Sequence, residues 1–214
     1  GTFDFGDIVF DLDGQLPADV VVIQNYLRYD QKVTAREGYI WKWDNEPLVS
    51  RPVAPGYDRV YTHLHLPGEP TAHIAPPILD WWVIKTYDEL AAMEPMTKTK
   101  PLSAIASTKV DIPGHRARYE FIERALEAIP ELEVFGHGRE RQLDDKWDGL
   151  GPYRYSLAIE NTSKADYWSE KIADCFVSYT VPFYFGATNI GDYFPEGSFI
   201  WLPIDQPDRA IDII

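Results

Sequence analysis

The chain has 214 residues, 45% of them hydrophobic, so it can bury one large core or two compact ones. With 34 acidic against 20 basic side chains its formal net charge is −14, which disfavours nucleic acid as a partner but leaves room for a small phosphate-bearing ligand held by a few placed cations. Mean hydropathy is −0.30 and no run approaches the roughly 20 apolar residues that span a bilayer, so no transmembrane segment is expected.

In chain order, the first segment has no basic start, which argues against a signal peptide. IVFDLDG (8–14) looks like a phosphatase motif through Asp11, Asp13 and Gly14. Gln15 stands where that chemistry wants threonine, so the segment reads as an acidic turn after an edge strand. Short apolar strands, Val20–Ile23 and Val60–Tyr61, follow between Pro-rich loops, and Trp41, Trp43, Trp81 and Trp82 add aromatic bulk. YIWKW (39–43) is a further strand, leading into DNEP. His63 and His65 alternate on a strand, but no carboxylate spacing around them completes a metal site, so none is expected. EPMTKTKP (94–101), polar and bracketed by prolines, marks a linker and divides the chain into domains 1–97 and 98–214.

From Leu102 the pattern becomes regular. Strands are predicted at 102–107, 131–136, 155–161, 181–186 and 198–203. A helix is predicted over 116–129, where Tyr119, Ile122, Leu126 and Ile129 recur at helical spacing, and another over 167–178. Alternation of this kind implies a largely parallel sheet with helices on both faces and ligands at the carboxyl ends of the strands. The turns after Ser107, Asn161 and Gly186 are therefore the places to look. Cys175 is the only cysteine, which suits a reducing compartment.

The most informative block runs from Tyr153 to Ile200. It holds Tyr153-Arg154-Tyr155, then Glu160-Asn161, then Asp166-Tyr167 and Glu170-Lys171, then Val181-Pro182 with Gly186, and finally Pro195 with Ser198-Phe199-Ile200. In that order and spacing the block resembles the donor-binding domain of the alpha-1,3-fucosyltransferase family, glycosyltransferase family 10. Upstream, SAIAST (103–108) and HRARYEFIERAL (115–126) resemble the family's strand end and the arginine that opens its next helix. The register gives that role to Arg116, with Arg118 two residues on as the alternative. Departures from the family are Thr108 for asparagine, Ile159 for an aromatic, Thr162 for serine, Ser169 for threonine and Trp168 for an aliphatic residue.

The resemblance implies an α/β protein of GT-B type, with two Rossmann-like domains whose parallel sheets face a cleft, the N-terminal one incomplete because the chain starts late in it. It implies transfer of L-fucose from GDP-fucose to a hydroxyl of a glycan acceptor, with inversion and without a cofactor. Another nucleotide sugar, or a binding module without catalysis, is the alternative. A nucleoside diphosphate sugar needs cations for its pyrophosphate, and Arg116 and Lys171 at helix starts can supply them. The family implies that Glu170 accepts the ribose hydroxyls and that Asn161 and Tyr167 line the pocket. Its catalytic base is a glutamate on a loop after a strand of the first domain, which points to Glu46, with Asp44 as the alternative. A bacterial-type place in the cytoplasm, or at the cytoplasmic face of the membrane, is expected.

Overall fold

The computed structural model describes residues 2–5, 8–11, 17–25, 34–36, 38–45, 56–77 and 81–214. Glu46 and the Asp13-Gly14-Gln15 turn lie outside the described residues. The chain forms two compact units, 1–78 and 79–214.

In the first unit, strands β1 (Thr2–Phe5) and β2 (Ile8–Asp11) pair antiparallel. Four further strands, β3 (Val20–Gln24), β4 (Tyr39–Trp43), β5 (Arg59–Thr62) and β6 (Ala72–Ile74), form a parallel sheet in sequence order. Val60 and Thr62 point inward and are fully buried. On the alternate positions Trp43 stacks on Tyr61 with ring centroids 4.4 Å apart, and the Trp43 indole donates to the Pro76 carbonyl at 2.8 Å. At the end of β4 a buried ion pair joins Lys42 and Asp44, which are 2% and 1% exposed. A buried pair of this kind contributes little net stability while intact, but losing one partner leaves a costly charge.

The second unit opens with a strap, residues 81–86, and a one-turn helix α1 (Tyr87–Ala91) capped by a Thr86–Glu89 capping box. Its sheet has five parallel strands: β7 (Lys100–Ile105), β8 (Leu132–Phe135), β9 (Tyr153–Ile159), β10 (Val181–Phe185) and β11 (Ile200–Trp201). Their order is β11-β10-β9-β7-β8, so the winding reverses between β7 and β9. Helices α2 (Pro113–Ala128), α3 (Glu170–Val177) and α4 (Pro207–Ile213) lie along it. Leu102, Ala104, Leu157, Ile159 and Phe183 pack with Phe121, Ile122 and Ala125 of α2 and Ala210 of α4. Ala158 and Tyr184, on the alternate strand positions, pack with Ile172 and Cys175 of α3. The period-two alternation thus feeds two cores, one on each face.

Helix α3 starts at Glu170, three residues later than predicted, and three further features differ from the sequence reading. The units divide at 78/79, upstream of the Pro-bracketed stretch, because the strap belongs to the second unit. Val83 is buried in the α3-side core, Trp82 N–H donates to Asp174 at 2.5 Å, and Ile84 N–H donates to Asp145 at 2.9 Å. Helix α2 starts three residues earlier than predicted, at Pro113, whose fixed φ suits a first helical position. Its buried face is also rotated: Arg118, Phe121, Ile122 and Ala125 are buried, whereas Leu126 is 37% exposed.

Candidate functional site

The winding reverses between β7 and β9, and doubly wound sheets bind ligands in the crevice at the carboxyl ends of the strands that flank such a reversal. The first turn of α2 enters it closely, since a Cβ on Gly114 would lie 1.6 Å from the Asn161 carbonyl oxygen. On the α2 face that meets the sheet, Arg118 is 6% exposed. Its Nη1 donates to Asn161 Oδ1 and its Nη2 to Ser107 Oγ at 3.4 Å, so one guanidinium ties the ends of β7 and β9 together. Burial lowers the Arg118 pKa, against the pull of Glu160 and Glu170. His115, one turn before, is also held below its ordinary value, by burial and then by Arg118.

Glu160, just past β9, is buried and accepts from the Ser169 amide at 2.8 Å and from the Ser169 hydroxyl at 2.7 Å. Those bonds fix the start of α3, for which Ser169 is the N-cap. Gly186, in the turn after β10, lies against the same carboxylate. A Cβ there would come within 2.2 Å of Tyr184 Oη and 2.6 Å of Glu160 Cγ, which gives the glycine of the Val-Pro-x-x-x-Gly motif a packing reason.

From the first turn of α3, Lys171 Nζ reaches Glu160 Oε2 at 3.2 Å, Ser169 Oγ at 2.9 Å and Glu170 Oε1 at 3.4 Å. Burial works against the Lys171 charge, but Glu160 and Glu170 outweigh it and hold the ammonium above its ordinary pKa. Glu170 is 6% exposed. Burial would raise its carboxyl, yet Lys171 and Lys146 together keep it below the usual value. The site therefore carries ionised groups of both signs.

Of the residues expected from sequence, Asn161, Glu170 and Lys171 come together here, and Tyr167 is buried at 3%. Arg116 does not: it is exposed, and Arg118 stands beside Asn161 in its place. The physical reason is the rotated face of α2, since position 118 precedes Phe121, Ile122 and Ala125 by three, four and seven residues. Lys146 is the residue that sequence reasoning missed. It reaches Glu170 from the turn before β9, with no local periodicity to announce it. Trp168, the departure from the family pattern, packs edge-on against Phe194 and Tyr193, with centroids 5.1 and 5.8 Å away. Among the described residues no group of three or more His, Cys, Asp or Glu side chains is placed to hold a metal ion, and no helix is long and apolar enough to cross a membrane.

A doubly wound parallel sheet with two cations beside its reversal point, Arg118 on α2 and Lys171 in the first turn of α3, is an α/β ligand-binding unit. The chain belongs to glycosyltransferase family 10 (fucosyltransferase), whose C-terminal domain matches residues 96–204, half of its length. It is 34% identical over 79 residues to an alpha-(1,4)-fucosyltransferase of Arabidopsis thaliana, a match covering 37% of this chain and 20% of that protein. It is 35% identical over 73 residues to the alpha-(1,3)-fucosyltransferase FucT of Helicobacter pylori, covering 34% of this chain and 15% of that one. The matches thus span a fifth or less of those relatives. A solved alpha1,3-fucosyltransferase superposes with a TM-score of 0.61 at 19% identity, covering 92% of this chain and 65% of that one. Another, solved with GDP-fucose, gives 0.58 at 18% identity, covering 95% and 79%. The fold is that of the GT-B alpha1,3-fucosyltransferases, with both units built on parallel sheets.

Proposed function

We propose that the second unit binds GDP-fucose at the β7/β9 crevice and that the protein transfers L-fucose from it to a hydroxyl of a glycan, with inversion. The observation that carries this reading is the convergence of Arg118, Asn161, Glu170 and Lys171 at the reversal point of a family 10 domain. The family resemblance gives Glu170 the ribose hydroxyls. Lys171 and Arg118 take the pyrophosphate, where the amides of the α3 first turn add partial positive charge. As the sugar–phosphate bond breaks, negative charge builds on the GDP leaving group, and cations fixed beforehand stabilise that state more than the ground state.

The first unit supplies the acceptor side in this reading. Glu46 is the proposed base, taking the acceptor hydroxyl proton as the oxygen attacks the anomeric carbon. Asp44, the alternative, is 1% exposed and committed to Lys42, which favours Glu46. Cys175 is free and buried, its thiol pushed up to about 12, and it suits a reducing, cytoplasmic setting.

Calorimetric titration with GDP, UDP and their fucose and glucose conjugates tests the donor. GDP and GDP-fucose should bind and the uridine compounds should not. Preference for a uridine donor, or no binding at millimolar GDP, overturns the reading.

A further inference from the structure

Lys146 opens the 3-10 turn 146–149, outside every motif the family resemblance supplies. Its ammonium lies 2.6 Å from Asp174 Oδ2 and 3.4 Å from Glu170 Oε1. Those two carboxylates stand four residues apart on α3, so they share one face of the helix, and both are nearly buried. Like charges at that spacing repel, and burial strengthens the effect. The same Glu170 oxygen also meets Lys171 at 3.4 Å, and Lys171 is already shared with Glu160. The charges therefore alternate through five groups: Glu160, Lys171, Glu170, Lys146 and Asp174.

Lys146 is itself held from several directions before it touches Glu170. The Trp82 ring centroid is 4.8 Å from its ammonium, and the Trp82 amide donates to the same Asp174 that Lys146 grips. Asp145, the residue before it, caps the turn by accepting from Trp147 N–H at 2.9 Å and takes Ile84 N–H at 2.9 Å as well. A side chain fixed in this way can fix another, the arrangement that gives a binding carboxylate a single orientation.

We propose that Lys146 is a positioning residue of the donor site, holding Glu170 ionised and in one orientation to receive the ribose hydroxyls. The proposal rests on the reading of Glu170 given above. A pair serving the fold alone would need only Asp174, the nearer carboxylate. The contact with Glu170 brings Lys146 to the same oxygen, Oε1, that Lys171 meets.

The test compares GDP with 2′,3′-dideoxy-GDP, which lacks both ribose hydroxyls, by calorimetry on the native chain, Lys146→Met, Lys146→Arg and Glu170→Gln. Methionine keeps the length and the packing on Trp82 but removes the charge. It should weaken GDP about tenfold, the worth of one hydrogen bond to a charged group, and dideoxy-GDP by less than about twofold. Lys146→Arg should restore most of the GDP affinity, and Glu170→Gln should remove the native preference for GDP over the dideoxy compound. If the native chain shows no such preference, or Glu170→Gln leaves it intact, the ribose reading fails and the role of Lys146 falls with it. If Glu170→Gln removes the preference while Lys146→Met keeps it, or weakens both ligands equally, the role of Lys146 alone is overturned.

Discussion

Gly114→Ala should destabilise the protein, although the same change in a helix usually does the opposite. Alanine is favoured over glycine by up to about 1 kcal/mol in a helix interior. Gly114 sits in the first turn of α2, where the amides have no partners within the helix and the gain is smaller. Against it stands a steric demand, because the new Cβ would lie 1.6 Å from the Asn161 carbonyl oxygen and 2.5 Å from its carbon. Carbon contacts settle near 3.5 Å, so the helix start and the turn after β9 must part by roughly 1.5–2 Å. Forcing such a shift in packed backbone costs about 1–3 kcal/mol, so the net loss should be about 1–2 kcal/mol. Urea unfolding measures it, with Gly191→Ala as the control, since a Cβ there meets nothing within 4 Å and should change stability by less than about 0.5 kcal/mol. The displaced turn carries Asn161 away from Arg118, so GDP affinity should fall by about tenfold or more. A Gly114→Ala protein as stable as Gly191→Ala, with native GDP affinity, would refute the packing of α2 against this turn.

Lys171→Ala should weaken GDP by about 1.5–3 kcal/mol, the range for a charge-assisted hydrogen bond, and leave guanosine nearly unaffected in the same titration. Equal losses for both ligands would trace to the start of α3, where Lys171 also meets Glu160, and not to phosphate binding. Glu46→Gln should keep donor affinity while cutting transfer from GDP-fucose to a glycan by roughly 100-fold or more; unchanged turnover places the base elsewhere. Lys42→Met should cost about 3–5 kcal/mol in urea unfolding by stranding the buried Asp44, and adding Asp44→Leu should recover most of it. If the double variant is no better than the single one, charge burial is not the cause.

The alternation of strands and helices after Leu102 is legible because the central strands β9 and β10 feed cores on both faces of the sheet. The Tyr153–Ile200 block likewise led to Asn161, Glu170 and Lys171, which lie within one crossover and meet through local geometry. What the sequence hid depends on rotation or distance. The spacing of Tyr119, Ile122, Leu126 and Ile129 suggests one apolar stripe on α2, whereas the sheet selects the face of Phe121, Ile122 and Ala125 and brings Arg118 with it. A small residue such as Ala125 carries little hydrophobic signal even when it is fully buried. The pairing of Lys146 with Glu170 and Asp174 spans 24 and 28 residues, and that of Trp82 with Asp174 spans 92. Contacts of that range leave no period in the chain, so the sequence reading assigns the strap to the first domain and is silent on Lys146.

Binding of GDP to Arg118→Met and Arg116→Met, measured side by side by calorimetry, tests most directly whether the nucleotide sits at the β7/β9 reversal. Both changes remove one positive charge from neighbouring positions of the same helix, so a general electrostatic effect would weaken both alike. The buried guanidinium beside Asn161 predicts a loss of about tenfold to a hundredfold for Arg118→Met and native affinity for Arg116→Met. The reverse order, or equal losses, would contradict the site.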